Sequence, residues 1–257
     1  MSQFNLSSVF LDLPFAHRGL HGKGIAENSL ESVNEAIING YGIEVDIQAL
    51  NDGSPVIFHD EYLNRLTNKR GKVSNLMPTD LATIKLLNGE KLPKLEELLD
   101  FVNGRVPILI EIKYQNGIMA MPLSKFLNKT AVSINRYRGP LAIMSFSPVV
   151  VEAFQTLCPR FPRGLVTDDF FSSEWEFIEE KEKKALCELN FLEKIKLDFI
   201  SHNVKNPHSS QICIAKREKL PMLCWTVRSH LEENEARNTF HNITFEDYFP
   251  DIMVSRL

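Results

Sequence analysis

Two stretches of the chain alternate apolar and polar residues with a period of two, and both put acids on the polar side. In 42–48 (GIEVDIQ), Ile43, Val45 and Ile47 share one face while Glu44, Asp46 and Gln48 share the other. In 107–113 (PILIEIK), Ile108, Ile110 and Ile112 oppose Leu109, Glu111 and Lys113. Each pattern predicts a strand with one greasy side and one polar side. Upstream, 13–17 (LPFAH) reads as a short strand, followed by a loop made flexible by Gly19, Gly22 and Gly24. Asn28 with Glu31 has capping-box spacing ahead of Leu30, Val33, Ala36 and Ile37 at helical spacing, with Gly40 as the stop. Asn51-Asp52-Gly53 is a tight-turn signal and 55–59 the returning strand, so residues 43–59 read as a hairpin.

Residues 61–94 are irregular, mixing Arg65, Lys69, Arg70 and Lys72 with glycine and a short helical pattern around Leu81–Leu87. Leu95, Leu98, Leu99 and Val102 predict an amphipathic helix ended by Gly104. Strands follow at 141–146, 164–167, 198–202, 221–227 and 252–255. Helices fall between them in 118–137, from Ser147-Pro148 to about Cys158, in 173–193 and in 207–218, and a capping box of Ser229 with Glu232 starts another. Alternating strands and helices over this length suit one TIM (β/α)₈ barrel spanning 1–257. Nine candidate strands are one too many, and the hairpin accounts for the surplus. The expectation is a barrel distorted near 43–59, with a small insertion at about 61–94.

Composition narrows the function more than the fold. A net charge of −4 argues against a broad nucleic-acid-binding face. Cys158, Cys187, Cys213 and Cys224 show no metal-finger spacing and read as reduced core residues rather than a disulfide framework. The first residues lack a basic stretch, and Asp12 interrupts their apolar run, so neither a signal peptide nor stable membrane insertion is expected. The expected location is cytoplasmic. Nothing in the chain speaks to oligomeric state.

The chemistry lies on the polar strand faces. Inside a barrel, Glu44, Asp46 and Glu111 would converge, and at ~4 Å with an effective dielectric of about 20 each like-charged pair costs about 4 kcal/mol. A divalent cation relieves that repulsion; so do structural salt bridges to Lys113 and Arg18. An all-oxygen set selects Mg²⁺, Ca²⁺ or Mn²⁺ over zinc. His17 and His59 end strand-like runs beside these acids, and with unperturbed pKa values near ~6.5 they can divide general acid and base roles. Arg18 and Lys113, with a metal, would clamp a phosphoryl group. Phe146 and Trp225 fall near C-terminal strand ends, where a barrel's pocket opens, and are candidates for substrate contact or core packing. Asn28 could bond a ligand, but its capping position is the stronger explanation, and the basic residues at 65–72 could steer an anion but read first as an ordinary exposed loop.

Taken in order, His17-Arg18-Gly19, Glu27-Asn28-Ser29, Gly42-Ile43-Glu44-Val45-Asp46, Asp52-Gly53, His59-Asp60, Glu111-Ile112-Lys113, Ser145-Phe146 and Trp225-Thr226-Val227 resemble the signature of the glycerophosphodiester phosphodiesterases. The resemblance implies a TIM barrel with an insertion after the His59 strand. It implies His17 and His59 as the acid–base pair, Glu44, Asp46 and Glu111 as ligands of one Mg²⁺ or Ca²⁺, and Arg18 and Lys113 as phosphate ligands. The implied reaction is hydrolysis of a small glycerophosphodiester to glycerol 3-phosphate and an alcohol. Three places depart from the family pattern. Leu50-Asn51 stands where threonine usually precedes the Asp-Gly turn, Arg228 replaces the asparagine after Trp-Thr-Val, and Asp251-Ile252-Met253-Val254-Ser255 replaces a C-terminal glycine, isoleucine, threonine, aspartate and proline pattern. A lysophospholipase D or a phosphate-cyclising phospholipase on the same scaffold is the nearest alternative. A non-catalytic phosphoester-binding barrel is the alternative of another class.

Overall fold

The computed structural model describes residues 6–114, 117–120 and 123–252. Among them are nine strands: β1 (Phe15–Ala16), β2 (Gly42–Ala49), β3 (Pro55–Ile57), β4 (Ile108–Ile112), β5 (Leu141–Ser145), β6 (Arg163–Thr167), β7 (Phe199–Asn203), β8 (Met222–Val227) and β9 (Asn242–Phe245). All but β3 run parallel and close on themselves, β1 pairing with β2 on one side and β9 on the other. β3 lies antiparallel on β2, with Ile57 opposite Ile47. The Asn51-Asp52-Gly53 turn makes this hairpin as expected; Gly53 sits at φ +81, where a side chain is strained. The helices are α1 (Val9–Asp12), α2 (Leu30–Ile38), α3 (Leu95–Val102), α4 (Ser124–Arg136), α5 (Pro148–Leu157), α6 (Glu180–Glu188), α7 (Ser210–Arg217) and α8 (His230–Ala236). None is long and apolar enough to cross a membrane.

The two faces of the predicted strands go where period-two alternation sends them. Ile43, Val45, Ile47, Ile108, Ile110 and Ile112 pack outward against helical residues such as Val33, Leu95, Leu98 and Val102. The inward positions Phe15, Leu109, Met144, Val166, Phe199 and Leu223 form a separate cluster that plugs the barrel. Rings and missing side chains are matched there. A Cβ on Gly164 would stand 2.3 Å from the Phe199 ring, and one on Gly42 2.7 Å from that of Phe15. With the lower interior full, the polar inward positions can meet only near the C-terminal ends of the strands.

Several predicted boundaries shift. The expected helix at 173–193 is a 3₁₀ turn (Ser173–Trp175) and then α6, which Leu189 stops in the left-handed conformation. The helix expected in 118–137 begins only at Ser124. The helical pattern around Leu81–Leu87 yields one 3₁₀ turn, Asp80–Ala82. Residues 61–94 pack instead through Leu63, Val73, Leu81, Ile84, Leu86 and Leu92 onto Leu50, Val56 and Phe58 of the hairpin.

The last strand is a correction. Ile252 is not in a strand and 253–255 lie outside the described residues, while the barrel closes on Asn242–Phe245. That segment puts Asn242 and Thr244 inward and Ile243 and Phe245 outward, so its few apolar residues gave little signal. Of the cysteines expected in the core, Cys158 and Cys224 are buried there, whereas Cys213 is exposed.

Candidate active site

The three predicted acids come together. Asp46 lies opposite Glu111 in the β2–β4 register, and ligand atoms of Glu44, Asp46 and Glu111 all lie within 4.8 Å of one another, every residue buried. Lys113 Nζ stands 2.7 Å from Asp46 Oδ1 and 2.5 Å from Glu111 Oε1. The Arg18 backbone N–H donates to Glu44 Oε2 at 3.0 Å, and Arg18 Nε lies 3.5 Å from Asp46 Oδ2. Two residues hold left-handed backbone here, Arg18 at φ +56 and Asn28 at φ +54.

Asn28 is not the helix cap. Ser29 is, its hydroxyl accepting from the Ser32 N–H while the Ser32 side chain returns the bond to the Ser29 N–H. This frees the Asn28 amide to donate to Asp46 Oδ2 at 2.9 Å and to accept from the Asp46 N–H at 3.2 Å.

Charge in this cluster is unbalanced. Burial, with Asp46 and Glu111 adding to it, pushes the Glu44 carboxyl well above the usual range. Burial also works against Asp46, but Lys113, then His59 and Arg18, outweigh it and hold that carboxyl low. Burial lowers Lys113, yet Asp46 and Glu111 reverse this and raise it. Lys113 and Arg18 face three carboxylates, and Arg18 also serves Glu27 through Nη1 at 2.7 Å. A buried, all-oxygen donor set carrying surplus negative charge fits a hard divalent cation.

His17 follows β1, and its N–H extends the ladder to Phe245 O at 2.9 Å. Its Nδ1 lies 2.5 Å from Glu246 Oε2, one residue past β9. Burial brings this imidazole down to about 4, outweighing the Glu246 hydrogen bond that raises it. His17 is therefore neutral near pH 7, with Nδ1–H donating to the carboxylate and the lone pair on Nε2. The other Glu246 oxygen pairs with Arg228, the residue that departs from the family pattern. Sequence reasoning missed Glu246 because the last strand was placed too late; Ile243-Thr244 with an acid just beyond and Pro250 were the available signal.

His59 has a parallel arrangement. Its Nδ1 lies 2.9 Å from Asp60 Oδ1, and Arg65 grips both Asp60 oxygens at 2.7 Å. The same guanidinium forks onto Glu27, both contacts at 2.8 Å. Arg65 is thus part of the site rather than an ordinary loop residue. Gln48, on the polar face of β2, donates to the His59 carbonyl at 2.7 Å. Both imidazoles act electrostatically on Asp46, which ties them to the acid cluster.

Phe146 and Trp225 also meet, edge to face at 5.5 Å, with Trp175 5.0 Å from Phe146. Phe146 is buried and Trp225 partly so, its Nε1 donating to Ser201 O at 3.2 Å. These rings wall one side of the barrel mouth, Trp175 joining the two aromatics that the sequence places there.

Comparison with known proteins bears on this geometry. A model of the glycerophosphoryl diester phosphodiesterase family matches residues 17–243. A glycerophosphodiester phosphodiesterase of Bacillus altitudinis is 29% identical over 163 residues, covering 60% of this chain and 66% of that protein. One from Caldanaerobacter subterraneus is 27% identical over 182 residues, 68% of this chain and 74% of that protein. Among solved structures, an Oleispira antarctica phosphodiesterase in complex with the product sn-glycerol-3-phosphate superposes with a TM-score of 0.75. It is 22% identical and covers 93% of this chain and 95% of that one, a likeness of fold. Glu246 lies beyond the matched residues.

Proposed function

The chain belongs to the glycerophosphoryl diester phosphodiesterase family, and from that premise we propose that it hydrolyses glycerophosphodiesters to glycerol 3-phosphate and an alcohol, using a divalent cation and two histidines. One observation carries this reading: each imidazole beside the acid cluster has a carboxylate on Nδ1, Glu246 for His17 and Asp60 for His59. That arrangement fixes the tautomer and leaves Nε2 of each ring for proton transfer.

His17, kept neutral by burial, accepts the proton of the nucleophile, which is either water or a neighbouring substrate hydroxyl whose cyclic phosphate product water then opens. His59, partly exposed and braced by the Asp60–Arg65 pair, donates to the leaving alkoxide. Lys113 and Arg18 bind phosphate oxygens, and the Glu27–Arg65 fork keeps the Arg18 guanidinium in place. Glu44, Asp46 and Glu111 would hold the cation, Mg²⁺, Ca²⁺ or Mn²⁺, which when bound offsets charge on the non-bridging oxygens. Phosphoester binding alone needs only the cations, so two carboxylate-braced imidazoles favour an enzyme over a binding barrel.

A second reading rests on the aromatic wall. Phe146, Trp175 and Trp225 continue outward to Phe177, which is 59% exposed and 6.1 Å from Trp175. This surface suits a diester with an apolar group, as in a lysophospholipase D reaction. A panel of glycerophosphodiesters and lysophospholipids, assayed with Mg²⁺, Ca²⁺ and chelator, separates the two. Release of glycerol 3-phosphate that chelation abolishes supports the first reading, turnover of lysophospholipids alone supports the second, and metal-independent activity overturns the role given to the acids.

A further inference from the structure

His17, His21 and Glu246 bring two imidazole nitrogens and a carboxylate oxygen within 4.8 Å of one another. The other histidine-bearing group among the described residues, Glu27 with His59 and Asp60, has both carboxylates occupied by Arg65. In the His17 group one donor is left over. His21 Nε2 is buried and has no hydrogen-bond partner among the described residues. It stands 3.8 Å from Glu246 Oε2, too far for a hydrogen bond. Arg228 takes the other Glu246 oxygen and leaves Oε2 facing both rings.

We propose that His17, His21 and Glu246 form a second metal site, selective for a borderline transition ion such as Zn²⁺, whose occupancy switches turnover off. Two imidazoles and one carboxylate are a nitrogen-rich set that Zn²⁺ prefers and that Mg²⁺ and Ca²⁺ do not. Tetrahedral Zn²⁺, with bonds near ~2.0–2.2 Å, sets its ligand atoms roughly 3.3 Å apart. The Nδ1–Oε2 separation of 2.5 Å and the Nε2–Oε2 separation of 3.8 Å bracket that spacing.

The consequence follows from the tautomer. When Nδ1 binds the ion, the proton it shared with Glu246 is displaced, and the neutral ring carries its proton on Nε2 instead. Bonds balance: one Nδ1–H breaks, one Nε2–H forms, and the Nδ1 lone pair goes to Zn²⁺. Nε2 can then no longer accept the proton that turnover requires. This last step rests on the base role proposed above for His17; the binding itself does not.

The test is a calorimetric titration of Zn²⁺ into the full chain saturated with Mg²⁺, repeated on His21→Ala and, should that variant misfold, on His21→Gln. Losing a ligand should cost at least the roughly 10–100-fold in affinity that losing a ligand's supporting partner costs. One Zn²⁺ per chain that persists under Mg²⁺ and weakens by that factor in the His21 variants supports the site. Zn²⁺ affinity untouched by His21 substitution, or fully displaced by Mg²⁺, overturns it. In the assay, the His21 variants should keep basal turnover and lose Zn²⁺ inhibition in the same proportion; inhibition unchanged in them overturns the switch. A chain that binds Zn²⁺ through His21 yet cleaves no phosphodiester would sink the proposed function and leave the site standing.

Discussion

Each of two sides of the barrel holds a buried carboxylate and a histidine with little exposure, and the two sides accommodate them in opposite ways. On the side of β1, β2 and β4, Asp46 is pressed among Lys113, Arg18 and two further acids, and His17 is braced by a carboxylate. On the side of β6 and β7, the Asp168 carboxylate accepts from dipoles: the Asp169 N–H at 2.7 Å, Trp175 Nε1 at 3.0 Å, Asn203 Nδ2 at 3.1 Å and Asn206 Nδ2 at 3.4 Å. His202 there meets the Thr167 hydroxyl at 2.7 Å, with Nε2 near Asn206 O at 3.1 Å and Ser209 Oγ at 3.0 Å. Burial holds His202 down to about 4, as it does His17. Depth alone therefore does not separate them. What differs is the partner set: fixed dipoles that complete a structure on one side, and opposed charges, two cations against three carboxylates, on the other.

Substitutions should split along that line. His17→Ala or His59→Ala should lower turnover by roughly 10²-fold or more with circular dichroism and melting temperature little changed; near-normal activity would remove that residue from the mechanism. Asp168→Ala should do the reverse, costing about 3 kcal/mol by stranding several buried donors, read by urea denaturation, while turnover of the folded fraction persists. A loss of activity with unchanged stability would break the contrast.

The two sides should share one behaviour in acid. His17 and His202 have folded pKa values of about 4 against 6.5 ordinarily, so the unfolded chain binds the extra protons. Stability should be full above pH 6.5 and fall as pH drops toward 4, by up to about 3 kcal/mol for each ring. Unfolding free energies measured across that window should lose about half of their slope in His202→Asn. A flat profile would mean neither ring is held neutral.

The smallest effect concerns the acids. Glu44→Gln should raise the metal concentration for half activity by roughly tenfold, about 1.4 kcal/mol, and leave thermal stability unchanged or slightly raised, because one of three like charges is gone. An unaltered metal titration would exclude Glu44 as a ligand.

Much of the site was legible because period-two alternation marks faces. Glu44, Asp46 and Glu111 stand out as acids on strands whose other positions are mostly isoleucine, valine and leucine, and His17 and His59 as histidines ending strand-like runs. The hairpin was legible from three turn residues. Glu246 was not, since β9 is short and half polar; nor was Arg65, whose partners Glu27 and Asp60 lie 38 and 5 residues away. Asn28 shows the limit of local rules, as capping-box spacing fits it and the fold spends its amide on Asp46 instead.

By itself, the chain's alternation determined which side chains of β2 and β4 face inward and, with the Asn51-Asp52-Gly53 turn, that a hairpin adds one strand to the barrel, because face and turn are set by backbone geometry over a few residues. Which polar groups then touch was decided only by closure. Joining β1 to β9 brings Glu246 to His17 across 229 residues. Burial there removes the water that would otherwise have solvated each group separately, so partner and protonation state become properties of the assembled barrel.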